Sequence, residues 1–320
     1  IVFGDWSSDV CSSDLKKDAE ELERQKDEQK KKLGVVSRHY DRLFYKLDGY
    51  GYLPHERWHI WVIDVRNGKA KQLTDHPVYD EHSPTWSPDG QWIAFTSNRS
   101  PDPDSTTDRE DVYIIPAAGG EFRRLDTPTG NKALPSFSPD GKWLAYFGSE
   151  GENQWYKNTG VWVIALDGSK PAINLTEKYD LHVSSQTIND LGNPELIPPT
   201  WSKDGFKLYF QVTEHGKTSL KSIDRDGEDL QSVVGAEGVI GSYSLDQAQN
   251  RLLYSWGSMS DPGQLFCMDL KSMQAEQITR LNQALLTSLD LGQVESFWTQ
   301  GADGDRSEER RVGKECRSRW

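Results

Sequence analysis

Cysteine is scarce in this chain, and so are long apolar runs. Three cysteines stand in 320 residues, and two of them, Cys11 and Cys316, lie in end segments that read as foreign to the protein. Cys267 is then alone, which excludes a disulfide-stapled fold and makes a reducing, cytoplasmic compartment the expectation. No uninterrupted apolar stretch approaches the roughly 18 residues of a membrane span. Positive charge is also in short supply: 37 Lys and Arg stand against 50 Asp and Glu, a net charge of −13. With no basic stripe against that background, neither nucleic acid nor an anionic membrane is an expected partner.

The two ends decide which residues enter a fold argument. Arg306 to Trp320 reads RSEERRVGKECRSRW, and Asp5 to Leu15 reads DWSSDVCSSDL. Written back codon by codon, both look like common short-read sequencing adapters, so residues 1–15 and 306–320 are read as adapter-derived scars, to be set aside as a tag would be. They carry equal numbers of acidic and basic residues, and the net charge of the remainder, Lys16 to Asp305, is unchanged. With its native N-terminus outside the sequence, the chain gives no information on a signal peptide.

What is present is an internal repeat. Trp86-Ser87-Pro88-Asp89-Gly90 precedes QWIAFTS, Phe137-Ser138-Pro139-Asp140-Gly141 precedes KWLAYFGS, and Trp201-Ser202-Lys203-Asp204-Gly205 precedes FKLYFQV. A decayed copy is read at Tyr243-Ser244-Leu245-Asp246-Gln247, before NRLLYSWG. Proline presets φ for a turn, aspartate bonds its own backbone, and glycine accepts positive φ. Flanked by aromatic and β-branched residues, each copy predicts a tight hairpin. Lys203 in place of proline is expected to cost the third turn only its pre-organisation. Gln247, read at the fourth glycine position, predicts a different and wider turn there.

A third strand follows each hairpin, at His59–Val65, Asp111–Ala117, Gly160–Leu166, Thr218–Asp224 and Gln264–Leu270. Short fourth strands then appear as KQLT, RRLD, INLT, QSVV and EQIT. Four antiparallel strands per recurring unit describe a propeller blade. The fold class is therefore all-β, a partial β-propeller in an open ring, with four largely complete blades from near His82 to Leu281. An earlier, incomplete unit is made of RLFYKLDG, HIWVIDV and KQLT. The domain reading places a charged helical or disordered segment at 16–34, blades at 35–292 and an exit strand at 293–305. Tyr179 to Pro199, the longest stretch between repeats, reads as a rim loop.

The arrangement GYGYL…HIWVIDV…QLTD…SPTWSPDGQWIAFTSNR resembles the propeller of prolyl-oligopeptidase-type serine peptidases, above all the acylaminoacyl-peptidase-like branch. So does the segment Glu295-Ser296-Phe297-Trp298-Thr299-Gln300-Gly301-Ala302-Asp303-Gly304, which is similar to the strand that leads from that propeller into an α/β-hydrolase domain. The resemblance implies four to five of seven blades, a propeller that gates access for short peptides, and a catalytic domain outside the sequence. The expected partners are thus a peptide substrate and the parent protein's own hydrolase domain, with no cofactor. The dipeptidyl-peptidase branch reads a free amino terminus with paired glutamates. Near the third repeat only Glu195 stands, and Glu20-Glu21 lies in the charged leading segment, so the reading leans toward acyl-peptide or oligopeptide hydrolysis. The W-S-P-D-G turn also occurs in Tol-type propellers, which leaves a non-catalytic protein-interaction module as the alternative.

No serine between Lys16 and Asp305 sits in a G-x-S-x-G elbow, so no catalytic residue is assigned, and the triad is expected beyond Asp305. Ser258 and Ser260 lie in GSMSDPG, a turn. His55-Glu56-Arg57-Trp58-His59 matches H-E-x-x-H, a zinc-peptidase pattern that requires a helix to bring both histidines onto one ion. Pro54 before it and the alternating run from His59 after it predict extended chain instead, with the histidines about 13 Å apart. His55, Glu56 and His59 are accordingly read as a decoy, and no metal is assigned. Asn98-Arg99-Ser100 and Asn174-Leu175-Thr176 match glycosylation sequons.

Overall fold

A computed structural model describes residues 26, 39–47, 51–154, 156–187, 196–235, 237–292, 294–301 and 306–312. The segments read as the N-terminal scar, the Glu20-Glu21 pair, Glu195 and most of the C-terminal scar lie outside the described residues. The described chain forms two compact units that divide near residues 157–174.

In the first unit, β1 (Lys46–Leu47) and β2 (Gly51–Tyr52) make a small hairpin of their own. RLFYKLDG therefore does not join the leading blade, which consists of β3 (Trp61–Asp64) and β4 (Lys69–Gln72). The next sheet runs in sequence order through β5 (Glu81–Trp86), β6 (Trp92–Ser97), β7 (Asp111–Pro116) and β8 (Arg123–Arg124), and β9 (Lys132–Phe137) to β12 (Ile173–Asn174) repeat it through β10 (Trp143–Gly148) and β11 (Gly160–Ala165). All adjacent pairs in the β5–β8 sheet are antiparallel.

The turn chemistry repeats atom for atom. Ser87 donates its backbone N–H to Trp92 O at 2.8 Å, and Gly90 closes the loop on Ser87 O at 2.9 Å. The Ser87 hydroxyl donates to Asp89 Oδ1 at 2.5 Å and accepts the Trp92 N–H at 2.9 Å. The same serine–aspartate bond recurs at 2.6 Å in both Ser138–Asp140 and Ser202–Asp204. Gly90, Gly141 and Gly205 sit at φ 68°, 68° and 72°, the left-handed region that a side chain disfavours.

The fourth copy keeps this turn but two residues later than the sequence reading. Asp246 N–H donates to Arg251 O at 3.0 Å, and Gln249 N–H donates to Asp246 O at 2.8 Å. Asp246 thus takes the serine's place, and its Oδ1 accepts the Arg251 N–H at 2.9 Å as the serine hydroxyl does elsewhere. Gln249, not Gln247, holds the glycine position, at φ 56°. The expected wider turn is not what forms. A carboxylate oxygen replaces a hydroxyl as acceptor, and the loop closes with the same backbone bonds but without the serine–aspartate bond, because Ala248 holds the aspartate's place.

In the second unit, β15 (Lys207–Glu214), β16 (Lys217–Asp224) and β17 (Gln231–Val234) form one blade, and β18 (Val239–Leu245), β19 (Arg251–Gly257), β20 (Gln264–Asp269) and β21 (Gln274–Gln277) the last. The first of these has a split opening strand. β13 (His182–Val183) and β14 (Thr200–Trp201) both pair with β15. β5 and β9 carry a bulge, with Ser83 at φ 51° and Leu134 at φ 54°, and Ser184, just after β13, has φ 84°. The stretch read as a rim loop between repeats, Tyr179 to Pro199, therefore contains one part of a blade's opening strand, and its residues 188–195 lie outside the described residues.

Packing is blade on blade. Ile60 with Val62 and Leu73 of the leading sheet meets Ile93, Phe95, Tyr113 and Ile115 of the next. The opposite face of that sheet, Ala94, Val112, Ile114 and Leu125, meets Leu144, Tyr146, Trp162 and Ile164. Leu220, Val234, Ile240, Leu252, Tyr254 and Met268 centre the second unit. A short helix α1 (Gln283–Ser288) precedes β22 (Val294–Gln300), which pairs antiparallel with β23 (Arg306–Val312). The strand read as an exit is thus hydrogen-bonded to the start of the segment read as a scar, and all seven of its residues are exposed.

Candidate functional site

The segment Pro54–Ile60 runs as irregular chain with a bend at His55-Glu56, and Asp80 and Glu81 hold it there. Asp80 accepts the Trp58 N–H at 2.8 Å and an Arg57 guanidinium N–H at 3.0 Å. His59 Nδ1 donates to Glu81 Oε2 at 2.8 Å, whereas His55 Nδ1 lies 3.4 Å from Asp41. The two histidines thus face separate carboxylates on different parts of the chain.

Glu81 centres a network that the sequence did not announce. Its carboxylate is fully buried and receives His59, the Thr74 hydroxyl at 2.8 Å and the Arg99 guanidinium. Arg99 in turn lies over the rings of Phe122 at 4.3 Å, Tyr79 at 5.2 Å and Tyr113 at 5.4 Å. A guanidinium sandwiched by aromatic faces and tied to a buried carboxylate is held in one geometry. Its chemistry is that of a clamp: it ties the leading sheet, through His59 and Thr74, to the opening strand of the next. The available signal was an acidic pair, Asp80-Glu81, opening a strand that must be buried.

A second charged residue occupies the equivalent station one blade on. Glu81 pairs with Ser97 at the end of β6, and Lys132 with Gly148 at the end of β10. Lys132 is buried, donates from Nζ to Gly130 O at 2.9 Å, and lies 3.8 Å from Asp111. Burial outweighs the Asp111 charge and pulls its pKa down to about 8. Burial likewise pushes Glu110 up, against the opposing pull of nearby His82. In the following two blades the same station carries Val183 and Ile240, both buried.

Ser258 and Ser260 make a turn, as read: Ser258 N–H donates to Asp261 O at 2.7 Å, and Asp261 N–H returns to Ser258 Oγ at 3.1 Å. The sequon amides are engaged inside the protein, Asn98 Nδ2 with Thr106 O at 2.7 Å and Asn174 Oδ1 with the Thr176 N–H at 3.0 Å. Among the described residues, no group of three or more His, Cys, Asp or Glu side chains is placed to hold a metal ion, and no helix is long and apolar enough to cross a membrane.

Four-stranded antiparallel blades that carry recurring Ser–Asp turns between their first two strands and stack face to face define a protein of the β-propeller class. No family model matches the chain. Its curated relatives are peptidases. The uncharacterized peptidase YuxL of Bacillus subtilis is 29% identical over 267 residues, covering 82% of this chain and 39% of its own length. Dipeptidyl-peptidase 5 of Porphyromonas gingivalis is 24% identical over 244 residues, covering 75% of this chain and 33% of its own. Among solved structures, the acylaminoacyl peptidase of Pyrococcus horikoshii superposes with a TM-score of 0.64 at 18% identity, over 86% of this chain and 39% of that one. The chain therefore spans well under half the length of these relatives.

Proposed function

We propose that this chain is the substrate-gating propeller of a serine peptidase that hydrolyses short peptides, with the hydrolase domain carried by the remainder of the parent protein. The observation that carries the reading is the match to peptidases over about a third of their length, in a chain built of propeller blades. The segment Glu295 to Gly301, similar to a strand that leads into a hydrolase domain, supports it. The chain by itself is inactive on this reading, since none of its serines stands in a nucleophile elbow. The parent enzyme is expected to cleave short blocked or acylated peptides and to spare folded proteins. Comparable rates on a folded protein and on a short peptide would contradict gating.

A second reading concerns the substrate. Several relatives bear the name dipeptidyl-peptidase 5, which favours release of dipeptides from a free amino terminus. Assaying the parent on one peptide with its amino terminus free and then acetylated separates the two. Loss of cleavage on acetylation selects dipeptide release, and retention selects acyl-peptide or oligopeptide hydrolysis.

A further inference from the structure

Equivalent positions in successive blades are fixed by their hydrogen bonds, which allows the end blades to be compared with an inner one. Ser87 N–H to Trp92 O and Asp246 N–H to Arg251 O set Ala94 against Leu253. The third-strand partners then set Val112 against Leu265, and the bonds from Leu125 N–H to Val112 O and Ile278 N–H to Leu265 O set Leu125 against Ile278. Ala94, Val112 and Leu125 are fully buried against the following blade. Their counterparts in the last blade are larger or equal in size and bare: Leu253 is 43% exposed, Leu265 39% and Ile278 52%.

The leading blade shows the converse. Leu73 N–H donates to Ile60 O as Leu125 does to Val112 O, which sets Trp61 against Tyr113 and Ile63 against Ile115. Tyr113 and Ile115 are buried against the preceding sheet, whereas Trp61 is 37% exposed and Ile63 40%. The trailing blade thus displays one half of the blade-on-blade interface and the leading blade displays the other half.

We propose that a second copy of this chain fills these faces, the trailing face of one molecule (Leu253, Leu265, Ile278) taking the leading face of the next (Trp61, Ile63). The occupant is argued from continuity: the two faces are complementary halves of a contact that the molecule already makes twice within itself. A second copy brings the missing half on the same backbone register. The contact is heterologous, so it propagates head to tail. The net charge of −13 opposes it, and added salt, by screening that charge, strengthens it. The inference stands on blade geometry and is independent of the peptidase reading.

Sedimentation velocity of the 320-residue chain tests it. The expected result is a series of species growing with concentration and with salt. Leu253→Asp/Leu265→Asp and Trp61→Asp/Ile63→Asp, both at exposed positions, should each be monomeric alone, with unchanged circular dichroism and melting. Mixed together, they should form a heterodimer and nothing larger, because one intact pair of faces remains. Three outcomes overturn the proposal: a wild-type chain that stays monomeric at every concentration, leaving the faces to further blades of a longer parent; either variant dimerising alone; or association indifferent to both variants.

Discussion

Gln249 Oε1 accepts the backbone N–H of Lys203 at 2.6 Å, joining the turn of one blade to the turn of its neighbour. Gln249 Nε2 also donates to Trp201 O at 3.0 Å. Two departures from the W-S-P-D-G pattern, Lys203 in place of proline and Gln249 in place of glycine, are accounted for by this pair. A proline at position 203 would have no N–H to give, and a glycine at 249 would have no amide to receive it. Lys203 thus does more than forgo pre-organisation.

Gln249 carries the strain of a left-handed residue, about 1 kcal/mol, and offsets it with two hydrogen bonds of about 1 kcal/mol each. Gln249→Ala keeps the strain and loses both bonds, and should cost about 2 kcal/mol in urea unfolding. Gln249→Gly relieves the strain as it loses the bonds, and should fall within about 1 kcal/mol of wild type. A Gln249→Ala variant as stable as wild type would show that the side-chain bonds contribute nothing, and equal losses for the two variants would show that the left-handed backbone carries no strain.

Removing Glu81 leaves the Arg99 guanidinium buried among rings without its carboxylate. Glu81→Ala should destabilise the chain by about 3 kcal/mol, the usual scale for breaking a buried pair. Loss should appear first in amide exchange of β3 and β4, which the clamp ties down through His59 and Thr74. Unchanged protection in those strands would contradict the clamp.

Lys132 gives a pH signature. Its ammonium titrates near 8 in the folded chain and near 10.5 when unfolded. Between those values the unfolded chain binds more protons, so this residue's contribution to stability rises with pH across that window. The full difference amounts to about 3 kcal/mol. Lys132→Met should therefore be more stable than wild type at pH 7, and the gap should close as the pH approaches 10.5. A gap independent of pH would place the proton on Lys132 throughout.

His55 and His59 bind separate carboxylates, so chelation should not matter. Prolonged dialysis against EDTA is expected to leave the melting temperature and secondary structure unchanged. One equivalent of zinc per chain that depends on both histidines would restore the H-E-x-x-H reading.

The blades were legible in the sequence because their turns use residues with narrow conformational roles. Three copies of Ser-x-Asp-Gly form the same bonds, and the third strands fall within two residues of their expected places. The fourth turn was misplaced because Ser244 looked like the repeat's serine, while Asp246 can accept the same N–H by another atom. RLFYKLDG has strand propensity but finds a partner in Gly51–Tyr52, and propensity says nothing of which partner is nearer. The buried charge at Lys132 was not legible, and for Glu81 the acidic pair Asp80-Glu81 was the one signal. Their partners come from other sheets, at separations that no local pattern encodes.

The central claim, that this propeller belongs to a serine peptidase, is tested most directly on the parent protein that the proposed function calls for. Treated with a fluorophosphonate probe, it should be labelled on one serine, in a G-x-S-x-G elbow beyond Asp305, with loss of peptide hydrolysis in step with labelling. An intact parent that takes no label and hydrolyses no peptide would contradict the account and leave an interaction propeller in its place.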